Sequence, residues 1–153
     1  MSPVTEICVD ASLAVKVVVT ESHSDKADAL FDQWANEGKQ LVAPSFFEVE
    51  TDSILRQKAA VRKKLTLEQG GAAFAKLRAL PIQQVSAPTQ RQRAWEIATE
   101  FGFTTVYDAT YLALAELRGC EFWTADERLF NAVKDKLFFV KWLGLYVPQT
   151  SSP

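Results

Sequence analysis

The sequence predicts an α/β fold in which a central, mainly parallel sheet is flanked by helices. Two observations carry that expectation. Short strand-like apolar runs alternate with segments whose apolar residues recur at helical spacing, the pattern of a sheet built from strand-helix-strand units. The chain also has 153 residues at 48% hydrophobic composition, enough to bury one continuous core without disulfides or a structural metal. No internal repeat, low-complexity segment or linker divides it. A single domain is therefore expected over residues 1–147, with a disordered tail, PQTSSP, at 148–153.

In chain order, EICVD is a β-rich run, and Asp10 at its end makes strand-then-helix the preferred reading, with the helix in ASLAVKVVVTE. SDKADALFDQWANEG is an amphipathic helix with Ala27, Leu30, Phe31 and Trp34 on one face and Gly38 near its end. QLVAP is a brief apolar segment stopped by Pro44. SFFEVETDSILRQKAAVRKK then places Phe46, Val49, Ile54, Leu55 and Val61 at helical spacing, which predicts one long helix. TLEQGGAAFAKLRAL is a further helix despite its two glycines, with Thr66 as N-cap, and Pro81 leads into a strand-like IQQVS. Helices are expected through QRQRAWEIATEFG and TTVYDATYLALAEL. A strand CEFWT, a helix DERLFNAVKDK and a last strand LFFVKWL complete the domain.

Several function classes are excluded early. A net charge of −2 and a pI near 5.5 argue against a protein that coats nucleic acid by bulk electrostatics, so any such site must be a local patch. Cys8 and Cys120 lie far apart with no further cysteine, which leaves neither a paired metal-ligand spacing nor a disulfide framework. His23 is the sole histidine, so histidine-rich zinc sites are out and a Ser-His-Asp triad is disfavoured. Near the N-terminus Glu6, Asp10 and Lys16 interrupt every apolar run, so neither export nor membrane spanning is expected, and the location expected is cytoplasmic.

Chemistry is expected outside the carboxyl ends of parallel strands. ICVD places Asp10 there, FWTAD places Asp126 there, and Asp108 begins the helix after FGFTT. Glu50, with Glu48 and Asp52 close by, lies in the first turns of the helix after LVAP. Each acid also has a purely structural explanation. Asp10 could cap the following helix, Thr105 and Asp108 have capping-box spacing, as do Thr124 and Glu127 with Asp126 alongside, and Glu50 could sit on a solvated face. Joint placement argues the other way, because carboxylates gathered at one sheet edge raise each other's pKa unless a cation joins them. An all-oxygen set without histidine or paired cysteine suits hard Mg²⁺, with Mn²⁺ as substitute, and such ions engage phosphates.

Four stretches resemble the PIN-domain ribonucleases, in particular the small VapC-type toxins of toxin-antitoxin modules: VDASLAVK, APSFFEVETDSILR, VYDATYLALAELRGCEFWTADERL and the terminal strand. The third is the most specific, since it pairs an acid at a helix start with a second acid in a T-A-D turn. The resemblance covers nearly the whole chain. It implies a PIN-like three-layer sandwich, with Asp10, Glu50, Asp108 and Asp126 as the metal-binding catalytic acids and Ser12 and Thr124 as hydroxyls supporting them. Glu50 departs in part from the family pattern, because Ser53 stands where the family has Asn, and Glu48 is its competitor.

The activity implied is metal-dependent hydrolysis of an RNA phosphodiester without a protein nucleophile. Arg56, Lys58, Arg62, Lys63 and Lys64 could track an RNA backbone or form a solvated helix face, and Arg91, Arg93 and Arg128 could add to them. The resemblance further implies a homodimer and a protein antitoxin, whose groove could be formed by Phe31, Trp34, Phe46 and Phe47. Trp34, Trp95, Trp123 and Trp142 are expected in the core or an interface rather than as base-stacking platforms. The competing readings are a receiver-like module that holds Mg²⁺ beside a phosphoaccepting aspartate and a catalytically silent binding module of the same fold. Acyl-phosphate labelling separates the first, and the full set of acids favours activity over the second.

Overall fold

The computed structural model describes residues 4–62 and 64–149; residues 1–3, Lys63 and positions 150–153 of the expected tail lie outside them. Five short strands form one sheet: β1 Glu6–Val9, β2 Gln40–Ala43, β3 Ile82–Gln84, β4 Glu121–Thr124 and β5 Val140–Trp142, in the order β3-β2-β1-β4-β5. Every pairing is parallel. The helices are α1 Ala11–Val18, α2 Ser24–Asn36, α3 Phe47–Arg56, α4 Leu67–Ala79, α5 Gln90–Phe101, α6 Tyr107–Arg118 and α7 Glu127–Val133.

Ile7, Cys8 and Val9 of β1 are all buried, as a parallel strand covered on both faces requires, and this is why the run reads as continuously apolar rather than alternating. One group of helices is α1 packed with α2, α3 and α4; another is α5 packed on α6, which lies against β1 and β4. α6 is buried over Tyr111, Leu112, Ala113, Leu114 and Ala115 without a break. A helix apolar on every side belongs between two layers, and its alanines let α5 approach closely. Gly102 and Gly119 end α5 and α6 in the left-handed conformation, at φ of 68° and 67°.

Thr66 and Gln69 form the expected capping box at the start of α4. The single long helix expected after Pro44 is instead α3 followed by a π-helical turn, Gln57–Val61, within which Lys58 reaches Glu21 with Nζ 2.8 Å from Oε2. Apolar spacing over so few residues does not distinguish a turn that holds one extra residue.

From β1 the chain builds outward through β2 to β3; β4 and β5 occupy the other side. The order therefore reverses between β1 and β4, and the crevice beyond their carboxyl ends is the topological switch point where open α/β sheets bind ligands.

Candidate metal centre

Asp10 stands at that crevice. Its backbone N–H donates to the Trp123 carbonyl at 3.0 Å, extending the β1–β4 pairing past Val9 and fixing where the side chain emerges. Ser12 Oγ donates to Asp10 Oδ2 at 2.9 Å, and Thr124 Oγ1 donates to the same oxygen at 2.7 Å. Each hydroxyl is itself oriented by a backbone N–H. Ala125 N donates to Ser12 Oγ at 3.1 Å and Asp126 N to Thr124 Oγ1 at 2.9 Å, which leaves each hydroxyl hydrogen for Asp10. Among the described residues no donor reaches the other carboxylate oxygen, Oδ1.

Burial pushes the Asp10 carboxyl up to about 7. The Thr124 hydroxyl opposes the rise, the Asp108 and Glu50 charges add to it, and the Ser12 hydroxyl opposes it again. Asp108 is raised as well, first by burial and then by Asp126 and Glu50. The structure thus gathers all four sequence-predicted acids. Among the described residues, no lysine or arginine is among the main groups acting on Asp10 or Asp108.

Glu50 reaches the cluster from the first turn of α3 and accepts a hydrogen bond at 2.7 Å from the hydroxyl of Tyr111, a side chain with no solvent exposure. Glu48, its competitor, is exposed, and its backbone N–H is bonded to Gln84. Tyr111 is the participant that sequence reasoning missed. It stands three residues after Asp108 on α6, and that spacing, which puts two side chains on neighbouring parts of one helix face, was the available signal. Burial first, then the charges of Asp10 and Glu50, raise the phenol far above its ordinary range, so it remains a donor.

The capping explanations divide. Asp126 does cap α7, accepting from the N–H groups of Arg128 and Leu129 at 3.0 and 3.2 Å. Asp10 occupies the N-cap of α1 but makes no capping bond. The Thr105–Asp108 box does not form, because Val106 is the N-cap of α6 and no side chain caps it. The Thr124 hydroxyl accepts from Asp126 and donates to Asp10, so it takes no part in a box with Glu127.

The oxygen-only donors suit a hard divalent cation, with neither histidine nor thiolate among them. Among the described residues no three acids close into a ready-made cage; they are near enough to repel and stay apart. An ion that keeps several waters and takes few protein ligands fits such an arrangement, and Mg²⁺ is of that kind.

Other expected residues fare variously. Arg56, Arg62, Lys64, Arg91 and Arg128 are exposed. Lys58 is committed to Glu21, which Lys16 also approaches at 3.3 Å, and Arg93 is held by both oxygens of Glu116. Trp34 and Phe47 are core residues and drop out of any docking groove, whereas Phe31 and Phe46 are only partly buried. Of the tryptophans expected in the core or an interface, Trp34 is in the core and Trp95 is 67% exposed. Both cysteines are free and buried. Among the described residues no helix is long and apolar enough to cross a membrane.

A family model described as PIN domain matches residues 7–136. Ribonuclease VapC12 of Mycobacterium tuberculosis is 32% identical over 123 residues, covering 80% of this chain and 88% of its own. Ribonuclease VapC3 of the same species is 32% identical over 133 residues, covering 86% and 90%. Among solved structures, PAE2754 from Pyrobaculum aerophilum aligns with a TM-score of 0.60 at 23% identity over 84% of each chain. Mycobacterium tuberculosis VapC20, described as a sarcin-ricin loop cleaving toxin, aligns with a TM-score of 0.60 at 18% identity over 82% of this chain and 94% of its own. At those identities the two structures speak to fold alone.

Proposed function

The chain belongs to the PIN-domain family, and from that premise we propose that it is a metal-dependent endoribonuclease, the toxin of a toxin-antitoxin pair. One observation carries the reading: Asp10, held by two hydroxyls, lies beside Glu50 and Asp108, and among the described residues no basic side chain is among the main groups acting on it. The names of the VapC relatives, which are ribonucleases, support the substrate class.

In this reading Asp10, Glu50, Asp108 and Asp126 hold Mg²⁺, or Mn²⁺ in its place. When bound, the ion supplies positive charge for the phosphodiester oxygens and makes water a stronger acid. The chain's own contribution is orientation. Ser12 and Thr124 fix Asp10, the Tyr111 hydroxyl fixes one oxygen of Glu50, and the helix start at α6 carries Asp108 at its positive end, where an ionised acid is favoured. Without a cation the same carboxylates repel an RNA phosphate, so ion and substrate bind together.

Arg56, Arg62, Lys63 and Lys64 serve as the RNA-tracking cations, with Lys58 set aside by its ion pair. The unit is one PIN-like domain over residues 1–147, acting in the cytoplasm as a homodimer and restrained by a protein antitoxin. The test is cleavage of end-labelled structured and unstructured RNAs by purified protein with Mg²⁺ or Mn²⁺, with chelator, and with Asp108→Asn alongside to expose contaminating nuclease. Metal-dependent cleavage that disappears in the variant is expected; equal cleavage by the variant would refute the site.

A further inference from the structure

Between α5 and the start of α6 lies a cavity of about 950 Å³ lined by Phe46 at the entry to α3, Arg91 and Trp95 of α5, Tyr107 of α6 and Val106 just before it. Its volume is in the range of pockets that enclose small organic ligands, about 300–1,000 Å³. Trp95 and Tyr107 are 67% and 56% exposed, although Phe46 and the buried Ala94 hold that part of the fold in place. The Phe46 ring meets Tyr107 and Tyr111 edge-on, with centroids 5.4 Å away in both cases. Tyr111 is the residue that holds Glu50, and Tyr107 directly precedes Asp108. One ring of the cavity wall, Phe46, thus meets the tyrosine that holds Glu50.

A second feature lies in the same lining. Thr89, a β-branched residue, has a left-handed backbone at φ 63°. Such a conformation costs on the order of a few-fold to a hundredfold in local equilibrium and persists where surrounding structure enforces it, commonly at ligand clamps.

We propose that this cavity is a nucleotide subsite, which takes one unpaired base of the RNA strand next to the phosphodiester engaged at the acids. Trp95 and Tyr107 supply the stacking faces, and Arg91 supplies positive charge for the accompanying phosphate. Recognition of single-stranded RNA works in this manner, by splayed bases on aromatic and guanidinium planes. A contact between protein copies calls for a broad apolar patch, about 800 Å² on each partner. Here exposed aromatic rings surround a concavity that also holds a guanidinium, and flat faces beside a local positive charge fit an anionic strand with flat bases. The inference rests on the ribonuclease reading and adds where the neighbouring nucleotide lies.

The experiment uses Asp108→Asn protein, which is not expected to cleave, and a fluorescent single-stranded octaribonucleotide, together with versions in which one abasic position is walked along the strand. Trp95→Ala in that background should weaken binding roughly five- to 150-fold, the range of one base-aromatic stack, and Trp95→Phe should retain most of the affinity. One abasic position should reproduce the loss and add nothing further in Trp95→Ala. Unchanged affinity in Trp95→Ala would overturn the subsite, as would absence of octamer binding by either protein. A change in the sedimentation mass of the free Trp95→Ala protein would overturn it too, by assigning the surface to a second copy. Failure of the ribonuclease reading is separate, since it appears as cleavage that Asp108→Asn does not abolish.

Discussion

β1 bears a carboxylate at its first residue and another immediately past its last, and the fold treats them in opposite ways. At the start, Glu6 receives both arms of the Arg118 guanidinium, Nη2 to Oε2 at 2.6 Å and Nε to Oε1 at 2.9 Å, while Arg118 also donates to the Ser86 carbonyl. At the end, Asp10 is buried to 6% exposure among further acids and, among the described residues, receives hydroxyls but no cation. Two carboxylates one strand apart thus separate a charge that fastens the frame from a charge kept in readiness. An acid retained for stability alone would gain from a guanidinium beside it, as Glu6 does.

The widest separation should come from neutralising each in turn. Asp10→Asn is expected to lower metal-dependent RNA cleavage by at least about a thousandfold, an amount in the range of losing a key electrostatic group at a reaction centre. Glu6→Gln should leave cleavage near the parent's and instead lower stability by about 1 kcal/mol, as suits a partly exposed pair. Parallel cleavage assays and urea titrations would show this crossing of effects. Equal losses of activity in the two variants would erase the distinction.

Proton linkage sharpens it next. The Asp10 carboxyl sits at about 7 in the folded protein against an ordinary value of 3.8, so between those values the folded state holds a proton that the unfolded chain has released. Its contribution to metal-free stability is full below about pH 4 and is lost as pH rises through about 7, a change on the order of a few kcal/mol. Asp108 shifts in the same direction. Thermal unfolding in chelator at pH 5 and pH 8 should show the parent losing more stability over that interval than Asp10→Asn. Added Mg²⁺ should restore the parent at pH 8 and do little at pH 5. A Tm difference between parent and variant that does not move with pH would remove the claim.

The smallest effect concerns Tyr111. Tyr111→Phe keeps the buried ring and deletes only the donor to Glu50 Oε1. Metal affinity should fall about tenfold, the lower end of what losing an outer hydrogen bond to a ligand brings, with cleavage recovering at high Mg²⁺. Calorimetric titration with Mn²⁺ reads this directly, and an unchanged affinity would show that Glu50 needs no such support.

Much of this site was legible because it depends on places where the chain changes structure. Asp10 after ICV and Asp126 after FWT follow strands whose apolar residues are continuous, and that much of the pattern is local. Register relative to Pro44 and Leu55 favours Glu50 over Glu48, but the bond from Tyr111 depends on packing between distant segments. The same holds for Lys58, whose role is set by Glu21 37 residues away. Trp34 and Trp95 both lie on amphipathic helices, yet one is core and the other open, because α2 and α5 turn different arcs inward. Hydroxyls beside an acid gave no hint that Ser12 and Thr124 meet at a single oxygen, since their approach is created by β1 lying next to β4.

That adjacency has a consequence in time. β1 is made well before β4, so one of its two edges stays unpaired until residues 121–124 have been added. Asp10 gains its Thr124 partner only at that late stage, and the acids at 108 and 126 arrive in the same interval. At about 5–20 residues per second, synthesis therefore runs for several seconds on a chain that has its first acid and lacks its centre.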